Sequence, residues 1–172
     1  MVPFLGNFSL WLSLFFGIFQ FFISKKNSKL KFVSIATKGL LISSLISFFS
    51  LLYCHIVSDF SVLNVFQNSH TTKPLLYKIS GMWGNHEGSM LLWILILTIF
   101  NYFIFKIYNK KNNFFVCKTL KIQAIITAGF VLFTVLTSNP FERMVTEHQD
   151  GLGFNPILQD PALAIHPPLL YM

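Results

Sequence analysis

Charge is scarce in this chain. Only 11% of its 172 residues are Asp, Glu, Lys or Arg, against about 25% in a soluble domain, while 53% are hydrophobic. A water-facing surface cannot be built from so few ions, so the chain reads as a membrane protein, with no room for a separate soluble domain. Cysteine is scarcer still. Cys54 and Cys117 are the only two and do not form a Cys-x-x-Cys pair, which removes zinc-ribbon, thioredoxin-like and covalent haem-attachment readings. Arg143 is the single arginine beside twelve lysines. Basic residues that hold nucleic acid form a continuous patch; here most fall in two short loops, so nucleic acid is excluded as a partner. A zinc-protease helix is missing too, because His86-Glu87 is followed at the i+4 position by Met90 instead of histidine.

What remains is four apolar runs. They predict an all-α membrane protein with four spanning helices, at about residues 4–23, 39–57, 89–105 and 122–138, an outer loop at 58–88 and an outer tail at 139–172. The first run precedes its lysines, the reverse of a cleaved signal peptide. Five lysines (25, 26, 29, 31 and 38) fill the first loop and five more (106, 110, 111, 118 and 121) the third, with no acid in either. All six acids lie in the second loop and the tail, beside Lys73, Lys78 and Arg143. The positive-inside rule then places the N-terminus, the second loop and the tail on the outer face, and Cys54 and Cys117 at opposite faces, too far apart to bridge. Twelve lysines to one arginine, with abundant Phe, Ile and Asn, suits an AT-biased genome such as an organellar one.

Within the outer loop, residues 60–66 are β-branched and aromatic and too short to span, so an extended surface segment is expected. His70 is read as solvated and without a role. The stretch Gly81-Met82-Trp83-Gly84-Asn85-His86-Glu87-Gly88-Ser89 is what apolar packing alone does not explain. It is either a functional loop or an interfacial turn in which Trp83 anchors at the aromatic belt, His86 is solvated and Glu87 is stabilised at a helix N-terminus. In the tail, Asn139-Pro140 ends the fourth helix and Asp160-Pro161 reads as an N-cap with proline at the first helical position. A short turn through Ile165 follows, and His166 before Pro167-Pro168 is expected to be extended. An imidazole fixed at a membrane surface suits a metal or haem ligand, or a hydrogen-bonded structural histidine.

Three segments together resemble one family. Gly84-Asn85-His86-Glu87-Gly88-Ser89-Met90-Leu91-Leu92-Trp93, then Thr137-Ser138-Asn139-Pro140-Phe141, then residues 155–171 with Asp160-Pro161-Ala162-Leu163-Ala164-Ile165-His166-Pro167-Pro168, are similar in order and spacing to the N-terminal part of CcmF, the haem lyase subunit of system I cytochrome c maturation. The resemblance covers essentially the whole chain and about the first quarter of a full-length member. It implies haem as cofactor of an assembled complex and His166 as an outer-face axial ligand to the haem iron. Trp83, Gly84, His86, Glu87 and Gly88 form a signature loop whose role the resemblance leaves unsettled.

The implied partners are a haem-delivering chaperone, apocytochrome c and other membrane subunits carrying the family's tryptophan-rich haem-binding segment, which this sequence lacks. The chain is expected to be part of a haem lyase assembly and not catalytic alone. It reads as a natural N-terminal piece of a divided protein or a fragment of a longer one, in the mitochondrial inner membrane or, alternatively, a bacterial inner membrane. From another class, an ion- or proton-translocating respiratory subunit would keep acids or lysines inside its spans, and these four apolar runs hold none; a non-catalytic membrane anchor is the blander alternative. The topology is checked by labelling: Asn109→Cys should react from the cytoplasmic or matrix side and Gln149→Cys from the outer side, and labelling of both from one side would overturn the arrangement.

Overall fold

The computed structural model describes residues 1–24, 30–108, 113–146, 148–153 and 159–171. Among these described residues seven helices follow in order: α1 Val2–Ile23, α2 Leu30–Ile56, α3 Leu63–Asn68, α4 Leu75–Gly81, α5 His86–Tyr108, α6 Asn113–Thr137 and α7 Pro161–Leu170. α1, α2, α5 and α6 are long and apolar enough to cross a membrane, with spans of 22, 27, 22 and 24 residues; at about 1.5 Å rise per residue even the shortest exceeds a hydrocarbon core of about 30 Å. Packing of α1 on α2 and α6, and of α5 on α2 and α6, closes them into a four-helix ring.

The ring is inside out relative to a soluble bundle. Phe4, Phe8, Phe15 and Phe22 on α1, and Phe100 and Phe103 on α5, point outward, while Ser9, Ser13, Ser43, Ser44, Ser47, Thr98, Thr127 and Thr134 are buried between helices. Lipid tails are as apolar as any side chain, so apolar burial does not drive these helices together; small side chains and interhelical hydrogen bonds do. Ser13 Oγ donates to Ser43 Oγ at 2.8 Å, and the Ser44 and Thr98 hydroxyls meet at 2.7 Å. A further interior link is an amide pair. Gln20 Nε2 donates to Asn101 Oδ1 at 3.0 Å and to the Leu120 carbonyl at 3.1 Å, and Asn101 Nδ2 returns a bond to Gln20 Oε1 at 2.9 Å. Both residues are fully buried, and together they tie α1, α5 and α6.

At one end of the ring the connection between α2 and α5 lies against the tail. Leu63 N donates to Glu142 O at 2.8 Å and Met144 N to Ser61 O at 3.0 Å, around a single bridge between Val62 and Arg143. Further along, the Thr71 amide and hydroxyl and the Gly151 amide all donate to the Asp150 carboxylate. The Thr71 hydroxyl bond in particular holds that carboxyl below the usual carboxylate range. His70 faces the same group at 3.2 Å with its side chain 40% exposed, so it is solvated, as expected, and also touches the tail. Thr137-Ser138-Asn139-Pro140-Phe141 secures the tail's beginning: Asn139 bonds to Asn7 and to the Phe141 amide, and the Phe141 ring fills the space where a Cβ on Gly6 would stand.

The expected extended segment at 60–66 is mostly helical. Only Val62 finds a pairing partner, and an extended strand with no neighbour leaves its N–H and C=O groups unmatched; from Leu63 onward the backbone satisfies itself as α3. Cys54 and Cys117 are both free and buried, near opposite ends of the ring.

The amide pair yields a stability prediction. Asn101→Leu leaves the buried Gln20 amide short of partners and should lower stability in mild detergent by about 1–2 kcal/mol, whereas Gln20→Leu with Asn101→Leu should cost less than the sum of the two single changes. Additive losses in thermal unfolding would show that the pair is not coupled.

Candidate functional site

The signature loop is a tight joint between two helices. α4 ends at Gly81, and after four intervening residues α5 begins at His86. Asn85, at the N-cap, accepts the Gly88 amide on Oδ1 at 2.8 Å, satisfying one of the free amides every helix start presents. Its Nδ2 donates backwards to the Gly81 and Met82 carbonyls at 2.9 and 3.1 Å. One side chain therefore closes both helix ends. Ser89 Oγ adds a 2.6 Å bond to the Trp83 carbonyl, and Gly88 packs so closely that a Cβ would collide with the Met82 carbonyl oxygen.

A buried polar line runs from this joint into the bundle. Asn64 on α3 donates to Asn85 Oδ1 at 2.8 Å and lies 3.4 Å from Glu87 Oε2, and its own Oδ1 stands 3.0 Å from His55 Nε2 on α2. His55 is fully buried, and its Nδ1 has no partner among the described residues. Nearby, buried Lys73 donates to the Asn68 carbonyl at 2.9 Å. Its burial first, and the Lys78 ammonium second, pull the Lys73 pKa down to about 8. Glu87 lies in the first turn of α5, where the macrodipole favours a carboxylate. His86 is exposed and meets the edge of the Phe133 ring on α6, with centroids 6.2 Å apart.

The tail motif forms a helix. Asp160 Oδ1 accepts the Ala162 amide at 2.8 Å, so it is the N-cap the sequence suggests. The helix then continues through both prolines to Leu170, where a turn ending at Ile165 and an extended His166 were expected. The pre-proline preference for extended backbone is a local steric bias, and docking outweighs it. α7 packs on α4, Tyr171 stacks on Trp93 of α5 with rings 6.0 Å apart and 14° from parallel, and Trp83 Nε1 donates to the Ala164 carbonyl at 2.8 Å. His166 projects from this docked helix with its side chain exposed.

Trp83 is thus the signature residue that touches the His-Pro-Pro helix; His86 and Glu87 turn towards α6 and α3. Among the described residues no three His, Cys, Asp or Glu side chains converge to hold a metal ion. His166, an accessible imidazole on a helix held against α5 by the Trp93–Tyr171 stack, is the group that would hold a haem iron. Beside Trp93, an apolar groove of about 520 Å3 lies between α5 and α6, lined by Met90, Ile125, Ile126, Gly129, Phe130 and Phe133. Asn64, Asn85 and His55 went unrecognised from sequence as one network; a histidine near the end of an apolar span was the available signal.

Residues 83–172 match the family model for cytochrome c assembly proteins. The chain belongs to that family. It is 42% identical over 178 residues to the cytochrome c-type biogenesis protein CycK of Rhizobium meliloti, covering all of this chain and 26% of that protein. It is also 42% identical over 180 residues to the cytochrome c-type biogenesis protein CcmF of Haemophilus influenzae, covering all of this chain and 28% of the relative. A solved structure of the cytochrome c haem lyase CcmF superposes with a TM-score of 0.82 at 22% identity, over 99% of this chain and 28% of the solved one, which shows a shared fold. The chain spans about a quarter of the length of the curated family relatives it matches.

The joint gives a contrast between two glycines. Gly88→Ala should be destabilised by about 1–3 kcal/mol, as for an overpacked site, because a backbone carbonyl cannot give way as a side chain can. Gly129→Ala, with nothing within 4 Å of its added carbon, should match the parent in folded yield after detergent extraction; equal yields for both variants would refute the close approach at Gly88.

Proposed function

We propose that this chain is a haem-handling part of a cytochrome c haem lyase assembly, with His166 as an axial ligand to the haem iron on the outer face. The observation that carries the reading is the exposed imidazole on a docked helix, in a chain of the cytochrome c assembly family. Haem supplies the vinyl groups that form thioethers with apocytochrome thiols. The chain's own contribution is orientation. α7 fixes where the imidazole stands, the Trp93–Tyr171 stack fixes the helix against α5, and the joint at Asn85 fixes α5 against α4.

One imidazole is a single axial bond, so the proposed partners are membrane subunits that carry the second ligand and the tryptophan-rich segment, together with a haem-delivering chaperone and apocytochrome c. The lysine-dominated composition supports the mitochondrial inner membrane; the bacterial source of the relatives supports a bacterial inner membrane. Against an ion-translocating subunit stands the interior between the long helices, where Gln20, Asn101, serines and threonines bond without changing charge, while the buried titratable groups, His55 and Lys73, lie at the loop-bearing end.

His166→Ala should abolish haem retention by the assembled complex, read as loss of haem absorbance relative to protein, and added imidazole should partly restore it by occupying the vacated iron position. Unchanged haem content and cytochrome c maturation in the variant would refute the ligand role.

A further inference from the structure

We propose that Trp83 is a positioning residue for His166, acting by hydrogen-bonding a backbone carbonyl that Pro168 leaves without a donor. The proposal rests on the haem-ligand reading of His166 only for its functional consequence. In an α-helix each carbonyl is met by the amide four residues on. For Ala164 that residue is Pro168, which has no N–H, and whose ring presses on the same carbonyl. α7 is only ten residues long, too short to hold itself in helical form, and a proline pair in its second half weakens it further. The Trp83 indole N–H stands 2.8 Å from the Ala164 oxygen, in the place the proline vacates.

The arrangement satisfies two needs at once. A partly buried indole needs an acceptor for its N–H, and the buried Ala164 needs a donor for its carbonyl. Ala164 precedes His166 by two residues, so fixing its peptide fixes the turn that carries the imidazole. Trp83 is in turn held by its own carbonyl, which accepts from Ser89, and by its position in the joint that Asn85 closes. The signature loop therefore reaches the tail through one neutral hydrogen bond from Trp83, while His86 and Glu87 serve other contacts.

A double-variant cycle in the assembled complex tests this. Trp83→Phe keeps an aromatic ring and removes only the N–H; Pro168→Ala restores an amide that meets Ala164 from within the helix. Trp83→Phe alone should speed hydrogen exchange of the peptide covering residues 159–171 about tenfold, as expected for loss of one such bond, and lower the haem-to-protein ratio. In the Pro168→Ala background the same Trp83→Phe change should have no further effect on either readout. Parent-like exchange in Trp83→Phe, or an equal effect of that change in both backgrounds, would overturn the proposal and leave Trp83 as a packing residue. If exchange follows the predicted cycle but haem content does not, the haem reading of His166 falls while the hydrogen bond stands.

Discussion

Asn85 is the side chain on which the rest of this face depends. Its carboxamide has one acceptor and two donors to place, and all are engaged: the oxygen with the Gly88 amide and Asn64, the nitrogen with the Gly81 and Met82 carbonyls. A carboxylate would lose the donors, and a hydroxyl could not reach both helix ends. α4 and α5 therefore meet across four residues, with two carbonyls of one helix end and an amide of the next bonded to the same side chain. Gly88 follows from the same geometry, since the turn that lets Asn85 reach backwards also brings the Met82 carbonyl against α5.

The bundle beneath obeys a different rule. In a hydrocarbon solvent the side chains that confer order are those that have no better partner outside. Phe4, Phe8, Phe15, Phe22, Phe100 and Phe103 have an equally good partner in lipid and face outward, whereas Gln20 and Asn101 have none and so find one another. The same preference separates Lys31, Lys38, Lys106, Lys118 and Lys121 from the core: they lie towards the helix ends opposite the second loop, and long stems let their heads leave the apolar layer.

Four spans, their order and the helix start at Asp160-Pro161 were legible in the sequence, because hydropathy and proline chemistry act locally. The line from His55 through Asn64 to Asn85 was not. Its members stand 9 and 21 residues apart on three different elements, at spacings no single helix or strand periodicity links, and each alone resembles an ordinary polar residue at a membrane boundary. The segment at 60–66 misled for a related reason. β-branched composition describes how a residue suits a strand, but a strand needs a neighbour, and only Val62 has one. The tail contact of His70 was similarly unreadable, since its carboxylate partner is eighty residues on at Asp150.

His-Pro-Pro shows how a local rule can be right and still lose. Proline does disfavour the helix it follows, and the cost is visible as a carbonyl at Ala164 without an internal donor. That cost is met from outside, by Trp83. A helix that cannot satisfy itself is stable only where a specific donor waits, so the prolines limit α7 to one docked position, and a self-sufficient helix would have no such restriction. For a helix proposed to present one imidazole at one angle, that dependence is an advantage. The same bond lies within the matched family region. Trp83 is the first residue of that region, and through its bond to Ala164 the loop at one end and the tail at the other form a single structural unit, with α5 and α6 between them and α1 and α2 as its backing.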